Sequence, residues 1–228
     1  MSAKMVDSGC VEIGLSIHDG TYSIDFLVQR VCPGPGPSES LATAIKEAVR
    51  TNIVCFSEEH HGKFVGAGIT ATVVRLSPDI APFLWRELDI IVMAFDVLET
   101  APQSMVADQG EHGDVAKFEF GVDEQADSAV RKAIMYFGPR NAPPPSIGFR
   151  NKVEVDIGGI VQLVQSLSDY ADTVSPETWK TVLRFAGHLK KEHVKVAFFS
   201  ATPQGGGVAL MRHALIRFYK LLGIQAAW

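Results

Sequence analysis

The sequence has little of what marks secreted, membrane-bound or nucleic-acid-binding proteins. Its 228 residues carry 21 lysines and arginines against 26 aspartates and glutamates, a formal net charge of −5. Without a basic surplus, a nucleic-acid partner has no electrostatic support. Residues 1–9 contain no apolar core for a secretory signal, and the longest apolar runs, such as residues 90–95, are too short to span a bilayer. We therefore expect a soluble cytoplasmic protein that binds neither nucleic acid nor a membrane.

Cysteine and metal-ligand patterns are equally sparse. Cys10, Cys32 and Cys55 are odd in number, lie far apart and lack CxxC spacing, which predicts reduced thiols in a cytosolic protein. The acidic-histidine runs at residues 58–61 and 111–114 could hold a metal only if three or four ligands converged, and adjacent residues point in different directions. A solvated helix end and a polar loop are the alternatives. We expect no metal and no other cofactor.

The first part of the chain predicts a mixed α+β module. Residues 11–28 alternate apolar and polar side chains around Asp19-Gly20, which indicates a β-hairpin with a two-residue turn. A Pro-Gly run at residues 33–37 then breaks the chain, and Ser38 is expected to cap a helix that continues to about Phe56. Further patterns predict a strand at 63–75, a helix at 77–88, a strand at 89–97, a strand at 115–122 and a helix at 126–137. For the region around Ile91, a continuation of the preceding helix is the competing interpretation.

The second part begins after a proline-rich stretch. Residues 139–148 contain three consecutive prolines and are the expected linker. They separate an N-terminal α+β module, residues 1–138, from a bridging segment, residues 149–190, and a final segment, residues 191–228. The bridging segment predicts a strand at 153–157, a helix carrying Ile160, Val164, Leu167 and Ala171, and a second helix that starts at Ser175-Pro176.

Two sets of isolated residues admit a structural and a functional interpretation. Asp89 and Asp96 bracket an apolar run and could form a carboxylate pair, but solvent-facing strand ends explain them as well. Trp85, Trp179 and Trp228 could stack on sugar rings. Core packing is the default for Trp85 and Trp179, because both occur at helical spacing with other apolar residues.

The most informative stretch covers residues 194–223. An apolar strand is followed by a loop at residues 200–207 that ends in Gly205, Gly206 and Gly207, and then by an amphipathic helix at 208–222. In a strand-loop-helix unit, the N–H groups of the loop and the positive end of the helix dipole converge on one point, which suits phosphate or a sugar hydroxyl. The loop has neither Walker nor GxGxxG spacing. A glycine-rich turn kept only for tight packing is the alternative.

The amino-acid sequence of this stretch resembles that of a known family. The run SATPQGGGVALMRHAL closely resembles the opening βα unit of GT-B glycosyltransferases that handle trehalose, and the run through FYKLLGIQAAW is similar to the fungal-type retaining trehalose phosphorylases, also called trehalose synthases. These enzymes belong to the family 4-like glycosyltransferases. The strong match covers about the last 35 residues.

The resemblance implies a fold, a reaction and a set of site residues. It implies the opening strand-loop-helix of a Rossmann-like GT-B domain and the reversible conversion of trehalose and phosphate into glucose and α-glucose 1-phosphate with retention. It implies that Gln204, Gly205, Gly206 and Gly207 donate backbone hydrogen bonds at the cleft. Arg212 and His213, in the second turn of the helix, are additional substrate-site candidates, with a solvated helix face as the other interpretation.

The chain departs from that family in extent. We expect it to end one strand and one helix into the catalytic fold, without the second Rossmann domain, so that it holds no catalytic residue and is inactive alone. Open strand edges and an uncovered helix face predict a homodimer, which could exchange the C-terminal β-α unit between chains. A non-catalytic oligomerisation or protein-recognition module remains the alternative function. An independent nucleotide-binding domain is disfavoured by the glycine spacing.

Overall fold

The computed structural model describes residues 1–7, 9–34, 36, 40–100, 119–138, 142–203 and 206–228. Within these ranges the chain separates into two compact units, Met1–Ala142 and Pro143–Trp228. The division falls inside the proline-rich stretch at residues 139–148. The finer scheme of four segments stays a prediction.

The first unit contains helices and strands in mixed order. Its elements are β1 (Ser2–Met5), β2 (Val11–His18), β3 (Ser23–Val31), α1 (Leu41–His60), β4 (Gly66–Thr70), α2 (Ala71–Leu76), α3 (Ile80–Leu88), β5 (Ile91–Phe95) and α4 (Val122–Phe137). Strands β1, β2 and β3 form an antiparallel sheet in that order, and β4 pairs with β5 in parallel. The mixed α+β architecture expected from the sequence is confirmed.

The hairpin of β2 and β3 is confirmed, but its predicted two-residue turn is wrong. Four residues, 19–22, connect the strands, and Gly20 alone among them has a positive φ, 100°. The carboxylate of Asp19 accepts hydrogen bonds from the N–H groups of Thr21 (2.7 Å) and Tyr22 (3.0 Å). The Thr21 hydroxyl and these two N–H groups lower the pKa of Asp19 to about 2. The aspartate side chain thus closes a wider turn than the Asp-Gly dipeptide alone would indicate.

The segment predicted as one strand at residues 63–75 divides into two elements. Strand β4 ends at Thr70, whose side chain accepts a hydrogen bond from the N–H of Val73 and so caps α2. Helix α3 ends at Leu88, and the residue that caps it, Asp89, takes a left-handed φ of 55°. Because the helix stops there, the strand interpretation of β5 is confirmed and the continuous helix is wrong.

Helices α1 and α4 begin at positions other than those expected. Ser40 caps α1 by accepting a hydrogen bond from the N–H of Thr43 (3.2 Å), whereas Ser38 lies outside the described residues. Helix α4 begins at Val122, four positions before the predicted Ala126, and the N–H of its cap, Gly121, donates to the carboxylate of Glu124 (2.8 Å). Half of the predicted strand at 115–122, residues 115–118, lies outside the described residues.

Three glycines let α4 pack closely on two strands. A Cβ atom at Gly14 of β2 would overlap the backbone of Val122, and one at Gly68 of β4 would overlap the backbone of Ala129. A Cβ atom at Gly66 would overlap the ring of Phe137. The glycines therefore serve as a flat surface on which the helix packs.

The second unit contains shorter strands. Its elements are β6 (Ser146–Ile147), a 3₁₀ turn (Phe149–Asn151), β7 (Val153–Glu154), β8 (Val161–Gln162), α5 (Leu167–Ala171), α6 (Pro176–Lys191), β9 (Lys195–Ala197), α7 (Gly206–Leu221) and β10 (Gln225–Ala227). The strand predicted at 153–157 is confirmed only as β7. In neither unit is a described helix both long and apolar enough to cross a bilayer.

One predicted helix is largely absent and another is confirmed. The helix expected to carry Ile160 to Ala171 is reduced to α5, because Ile157, Gly158 and Gly159 all have positive φ and form a turn before β8. Helix α6 starts as expected: the Ser175 side chain accepts a hydrogen bond from the N–H of Thr178 (3.3 Å), with Pro176 in the first turn.

Candidate functional site

The final segment forms a parallel β-α-β unit. Strand β10 pairs in parallel with β9, with Lys195 opposite Gln225 and Ala197 opposite Ala227. The expectation that the chain stops after one strand and one helix is therefore wrong, since β10 supplies a second strand. In a parallel pair both carboxyl ends meet at one edge, and the loop after β9 brings the start of α7 to the same edge, where open α/β sheets bind ligands.

The glycine loop is described in part. Gln204 and Gly205 lie outside the described residues, and Gly206 is the first residue of α7. A Cβ atom at Gly207 would meet nothing within 4 Å. Glycine in a helix is less stable than alanine by about 1 kcal/mol. Because no neighbour among the described residues requires a glycine at position 207, we regard the space above it as open to the close approach of a ligand.

Arg212 lies between aromatic rings at this edge. Its guanidinium carbon is 5.8 Å from the ring centre of Phe198, which follows β9, and 5.8 Å from that of Trp228, which follows β10. Among the described residues its Nη1 atom is buried and has no hydrogen-bond partner. The rings fix the guanidinium by cation–π contact, and they leave one buried donor for which the described residues supply no acceptor.

The side chain of Trp228 is held in place by burial and by a hydrogen bond. It is 8% exposed, and its indole N–H donates to the Ser200 hydroxyl at 2.7 Å, which donates to the Thr202 carbonyl at 3.1 Å. The sequence left open whether Trp228 stacks on a sugar. In the structure one ring face is near the Arg212 guanidinium. We call the group Phe198, Ser200, Arg212, His213 and Trp228 the Arg212 cluster.

His213 connects the helix to the loop before it. Its ring meets that of Trp228 edge-on, with the centres 5.3 Å apart, and it hydrogen-bonds the Pro203 carbonyl. Burial lowers the pKa of His213, and the positive charge of Arg217 lowers it further. The imidazole is therefore neutral at pH 7, so that His213 holds the loop by a hydrogen bond and adds no charge to the site.

Asp156 anchors the second half of α7. Its carboxylate accepts hydrogen bonds from Arg217 Nε (2.8 Å) and Lys220 Nζ (2.5 Å), while Arg217 also donates to the Val155 carbonyl (2.7 Å). Burial raises the pKa of Asp156, but the bonds from Lys220 and Arg217 lower it by more, and the net pKa lies below the ordinary 3.8.

Substitution of Asp156 with asparagine is expected to lower the free energy of unfolding by about 1–3 kcal/mol, because Arg217 would lose its charged partner. Since the folded pKa is depressed, the carboxylate stabilises the fold above pH 3.8 and that contribution is lost as the pH falls through the folded pKa. Urea unfolding at several pH values should show wild type and Asp156→Asn converging at acid pH. A constant difference at all pH values would contradict this assignment.

Several of the other candidates make contacts of their own in the structure. Asp89 caps α3 and accepts a bond from Lys63 (2.7 Å), and the Asp96 carbonyl accepts one from Lys132 (2.5 Å). His60 stacks on Phe56 with ring centres 4.1 Å apart. Residues 111–114 lie outside the described residues. In the ranges that the structure does describe, no three histidine, cysteine, aspartate or glutamate side chains converge as metal ligands.

The sequence predicted Arg212 and His213 as candidates but not the residues around them. The structure brings both together with Phe198, Ser200 and Trp228, which come from the ends of two strands and a loop. The signal that could have found them was the position of Phe198 and Trp228 directly after the two short apolar strands. Arg212 is clamped by rings and is not solvated on an open helix face.

These features define a class of protein. It is an α+β chain with a parallel β-α-β unit, in which the N-terminus of the helix contains glycines and lies at the carboxyl edge of the strands. This arrangement is typical of phosphate and sugar binding. A comparison with family models then gives the family. The chain belongs to the family described as trehalose phosphorylase-like, N-terminal domain, whose model matches residues 1–143.

Curated relatives extend this match along the chain. Trehalose phosphorylase from Grifola frondosa is 38% identical over 253 aligned positions, which cover 95% of this chain and 35% of the relative. The trehalose phosphorylases of Pleurotus pulmonarius and Pleurotus sajor-caju are 37% and 38% identical, again over 95% of this chain and 34% of each relative. The chain spans about a third of the length of these relatives. No solved structure matches it.

The expected resemblance to the N-terminal part of fungal trehalose phosphorylases is therefore confirmed, and it is not restricted to the glycine loop. The family match falls almost entirely on the first unit, Met1–Ala142, where the sequence shows no short motif.

Proposed function

We propose that this chain is the N-terminal part of a retaining glycosyltransferase that interconverts trehalose and phosphate with glucose and α-glucose 1-phosphate. Family membership and the trehalose phosphorylase relatives support the proposal. The observation that carries it is the parallel β9–α7–β10 unit, because its geometry opens the start of α7 at the edge where such folds bind ligands. We infer that this unit is the opening of a Rossmann-like GT-B domain that acts in the cytoplasm.

In this proposal the loop residues 204–207 bind the phosphate group of glucose 1-phosphate, or free phosphate. Backbone N–H groups at the start of α7 donate to phosphate oxygens and the helix dipole favours the negative charge. Arg212 supplies a fixed positive charge one turn further along, held by Phe198 and Trp228. The neutral His213 is a positioning residue that keeps the loop in place through the Pro203 carbonyl.

We expect this chain to bind ligand but not to catalyse the reaction. We expect the 228-residue chain to bind glucose 1-phosphate weakly, with a Kd on the order of 1 mM. We expect it to release no glucose 1-phosphate from trehalose and phosphate, because the chain spans only about a third of the length of the trehalose phosphorylases that it matches. An enzyme-like rate of release would overturn the second expectation.

The binding site is tested by calorimetric titration of phosphate, glucose 1-phosphate and trehalose. Gly207→Val fills the open space at the helix start, and Arg212→Ala removes the fixed charge; each should raise the Kd for glucose 1-phosphate at least about 10-fold. Gly187→Val is the matched control, since a Cβ atom at Gly187 of α6 also meets nothing within 4 Å. Wild-type affinity in Gly207→Val, with folding verified by circular dichroism, would contradict the proposed site.

Oligomerisation is the second function that a specific observation favours. The homodimer was expected partly because β9 was thought to have no partner strand. In the structure β9 pairs with β10 of its own chain. Exchange of the C-terminal unit between chains is therefore not needed to give β9 a partner. We retain a homodimer as a proposal. The exposed apolar side chains of α7, Val208 (55%), Met211 (60%) and Leu215 (37%), support it.

A further inference from the structure

The first unit contains a cleft that shares no residue with the Arg212 cluster. The cleft is bordered by residues 15–18 of β2, by residues 66–68 of β4 and by side chains of α1 and α4. Met1 also lines it. The Met1 carbonyl accepts a hydrogen bond from the N–H of Thr70 (3.1 Å), and the next residue, Ser2, pairs with Gly14 of β2. Elements on both sides of the cleft are therefore held in place by backbone hydrogen bonds.

The cleft is small, mostly apolar and open to solvent. Its space for the centres of water-sized molecules is about 70 Å³. One water needs about 10–15 Å³ by this measure, so there is room for about five to seven waters or a ligand of similar size. Aliphatic and aromatic side chains form most of the walls, namely those of Leu15, Ile17, Ile53, Phe64, Ile90 and Val130.

His18 supplies a hydrogen-bond donor among these apolar walls. Its side chain is only 4% exposed. The N–H of Gly20 donates to Nδ1 at 3.1 Å, so Nδ1 carries no hydrogen in the neutral ring and Nε2 is the donor. Within the described part of the chain Nε2 has no acceptor, and the cleft that His18 lines is where an acceptor can reach it.

Asn52 of α1 offers the cleft an acceptor. Its Nδ2 donates to Gln29 Oε1 and to the Ala48 carbonyl, both at 2.8 Å, so both amide hydrogens are used. The Oδ1 atom is therefore the group that Asn52 presents to a ligand. A hydroxyl group suits either polar residue, because it can accept from His18 Nε2 or donate to Asn52 Oδ1.

The cleft offers no fixed positive charge to an anion. Among the described residues that line it, none is a lysine or an arginine. The Met1 amino group donates to the Gly68 carbonyl at 2.6 Å, and burial lowers its pKa to about 5, so it is neutral at pH 7. A charged ligand would lose hydration here without gaining an ion pair, and an uncharged ligand is favoured.

We propose that this cleft binds a small uncharged alcohol of about five to seven heavy atoms, whose hydroxyl accepts a hydrogen bond from His18 Nε2 and whose carbon body lies against the apolar walls. Sugars carry a hydroxyl on nearly every carbon and phosphate is charged, so neither matches these walls. The site is therefore independent of the proposed phosphorylase reaction.

Titration with cyclopentanol tests the site. We expect the isotope-labelled 228-residue chain to bind cyclopentanol with a Kd on the order of 1 mM, and two-dimensional amide NMR to show shifts at residues 15–18 and 66–68. Butyrate, an anion of similar size, should bind at least about 10-fold more weakly at pH 7. No binding of cyclopentanol up to about 50 mM, or shifts confined to α7, would overturn the proposal. Equal affinity for butyrate would overturn the choice of an uncharged ligand.

Removal of the donor tests the role of His18. His18→Phe keeps a ring at this position, and we expect it to raise the Kd for cyclopentanol about 10-fold while the Kd for cyclopentane stays unchanged. His188→Phe, at an exposed histidine of α6, is the matched control and should leave both unchanged. Wild-type affinity for cyclopentanol in His18→Phe would contradict the hydrogen bond to Nε2.

Filling the cleft gives a test that does not depend on His18. Val130 of α4 lines the cleft and is half-buried, so Val130→Phe can place a ring in the space without displacing a fully buried side chain. We expect it to raise the Kd for cyclopentanol and for cyclopentane at least about 30-fold. Met135→Phe, at a side chain of α4 that is 82% exposed, should bind both as wild type does. Retained binding in Val130→Phe, with a wild-type circular dichroism spectrum, would place the ligand elsewhere and overturn the proposal.

Discussion

Substitution of Gly68 with valine is expected to unfold the first unit. A Cβ atom at this position would overlap the backbone oxygen and carbon of Ala129 in α4. Backbone atoms inside a helix cannot turn aside as a side chain does, so α4 would have to move away from β4 and open the core. Overpacking alone costs about 1–3 kcal/mol, and we expect a loss above about 4 kcal/mol for a branched side chain against helix backbone. Urea unfolding followed by circular dichroism measures it.

Two further glycine variants make this prediction specific. Gly66→Ala should destabilise less than Gly68→Ala, because its Cβ atom meets the far end of the Phe137 side chain, whereas at Gly68 it meets helix backbone. Gly62→Val is the matched control, since a Cβ atom there meets nothing within 4 Å. Equal stability of Gly68→Val and Gly62→Val would mean that α4 does not lie on β4 as described.

The sequence predicted elements well where local chemistry decides them. The hairpin of β2 and β3, the start of α6 at Ser175-Pro176 and strand β5 follow from alternation, capping and apolar runs. It failed where a side chain or a neighbouring element decides. The Asp19 carboxylate widened the turn, and the three positive-φ residues 157–159 replaced the first turns of a helix. The function of Gly66 and Gly68 became visible only with α4 packed on them.

The candidate site shows the same division. The loop glycines, Arg212 and His213 were predicted as site residues because they lie close together in one strand-loop-helix pattern. Phe198 and Trp228 are 30 positions apart and come together only because β9 and β10 pair in parallel. No local sequence pattern predicts that pairing. Likewise Asp156 reaches α7 across 61 positions of sequence. Contacts of this range depend on topology, which composition and periodicity do not determine.

The pairing of two cysteines corrects another expectation from the sequence. Cys10 and Cys32 form a disulfide in the structure, with Cα atoms 4.3 Å apart, and only Cys55 of the three is free. The expectation of three reduced thiols was wrong because spacing in sequence does not show that the start of β2 and the end of β3 are neighbours. Val11 and Val31, the adjacent residues, oppose each other in the sheet.

Reduction of the Cys10–Cys32 bond is expected to lower the free energy of unfolding by about 2–4 kcal/mol. The bond closes a loop with a sequence separation of 22 residues and so restricts the unfolded chain. It also joins the start of β2 to the end of β3. Urea unfolding with and without dithiothreitol measures the loss in wild type, and a Cys10→Ser, Cys32→Ser double variant should match the reduced protein under both conditions.

Cys55→Ser is the control, because Cys55 is an exposed free thiol on α1 and its loss should leave the unfolding free energy unchanged with or without dithiothreitol. Thiol titration of the denatured chain should find one thiol without reductant and three after reduction. Three thiols before reduction would contradict the pairing. The cytosolic glutathione pool keeps most protein thiols reduced. We propose that the protein acts in the cytoplasm. Equilibration of the protein with glutathione at cytosolic ratios, followed by thiol titration, therefore shows whether the Cys10–Cys32 bond persists there. If the bond is reduced, β2 and β3 are held together by their hydrogen bonds and packing alone.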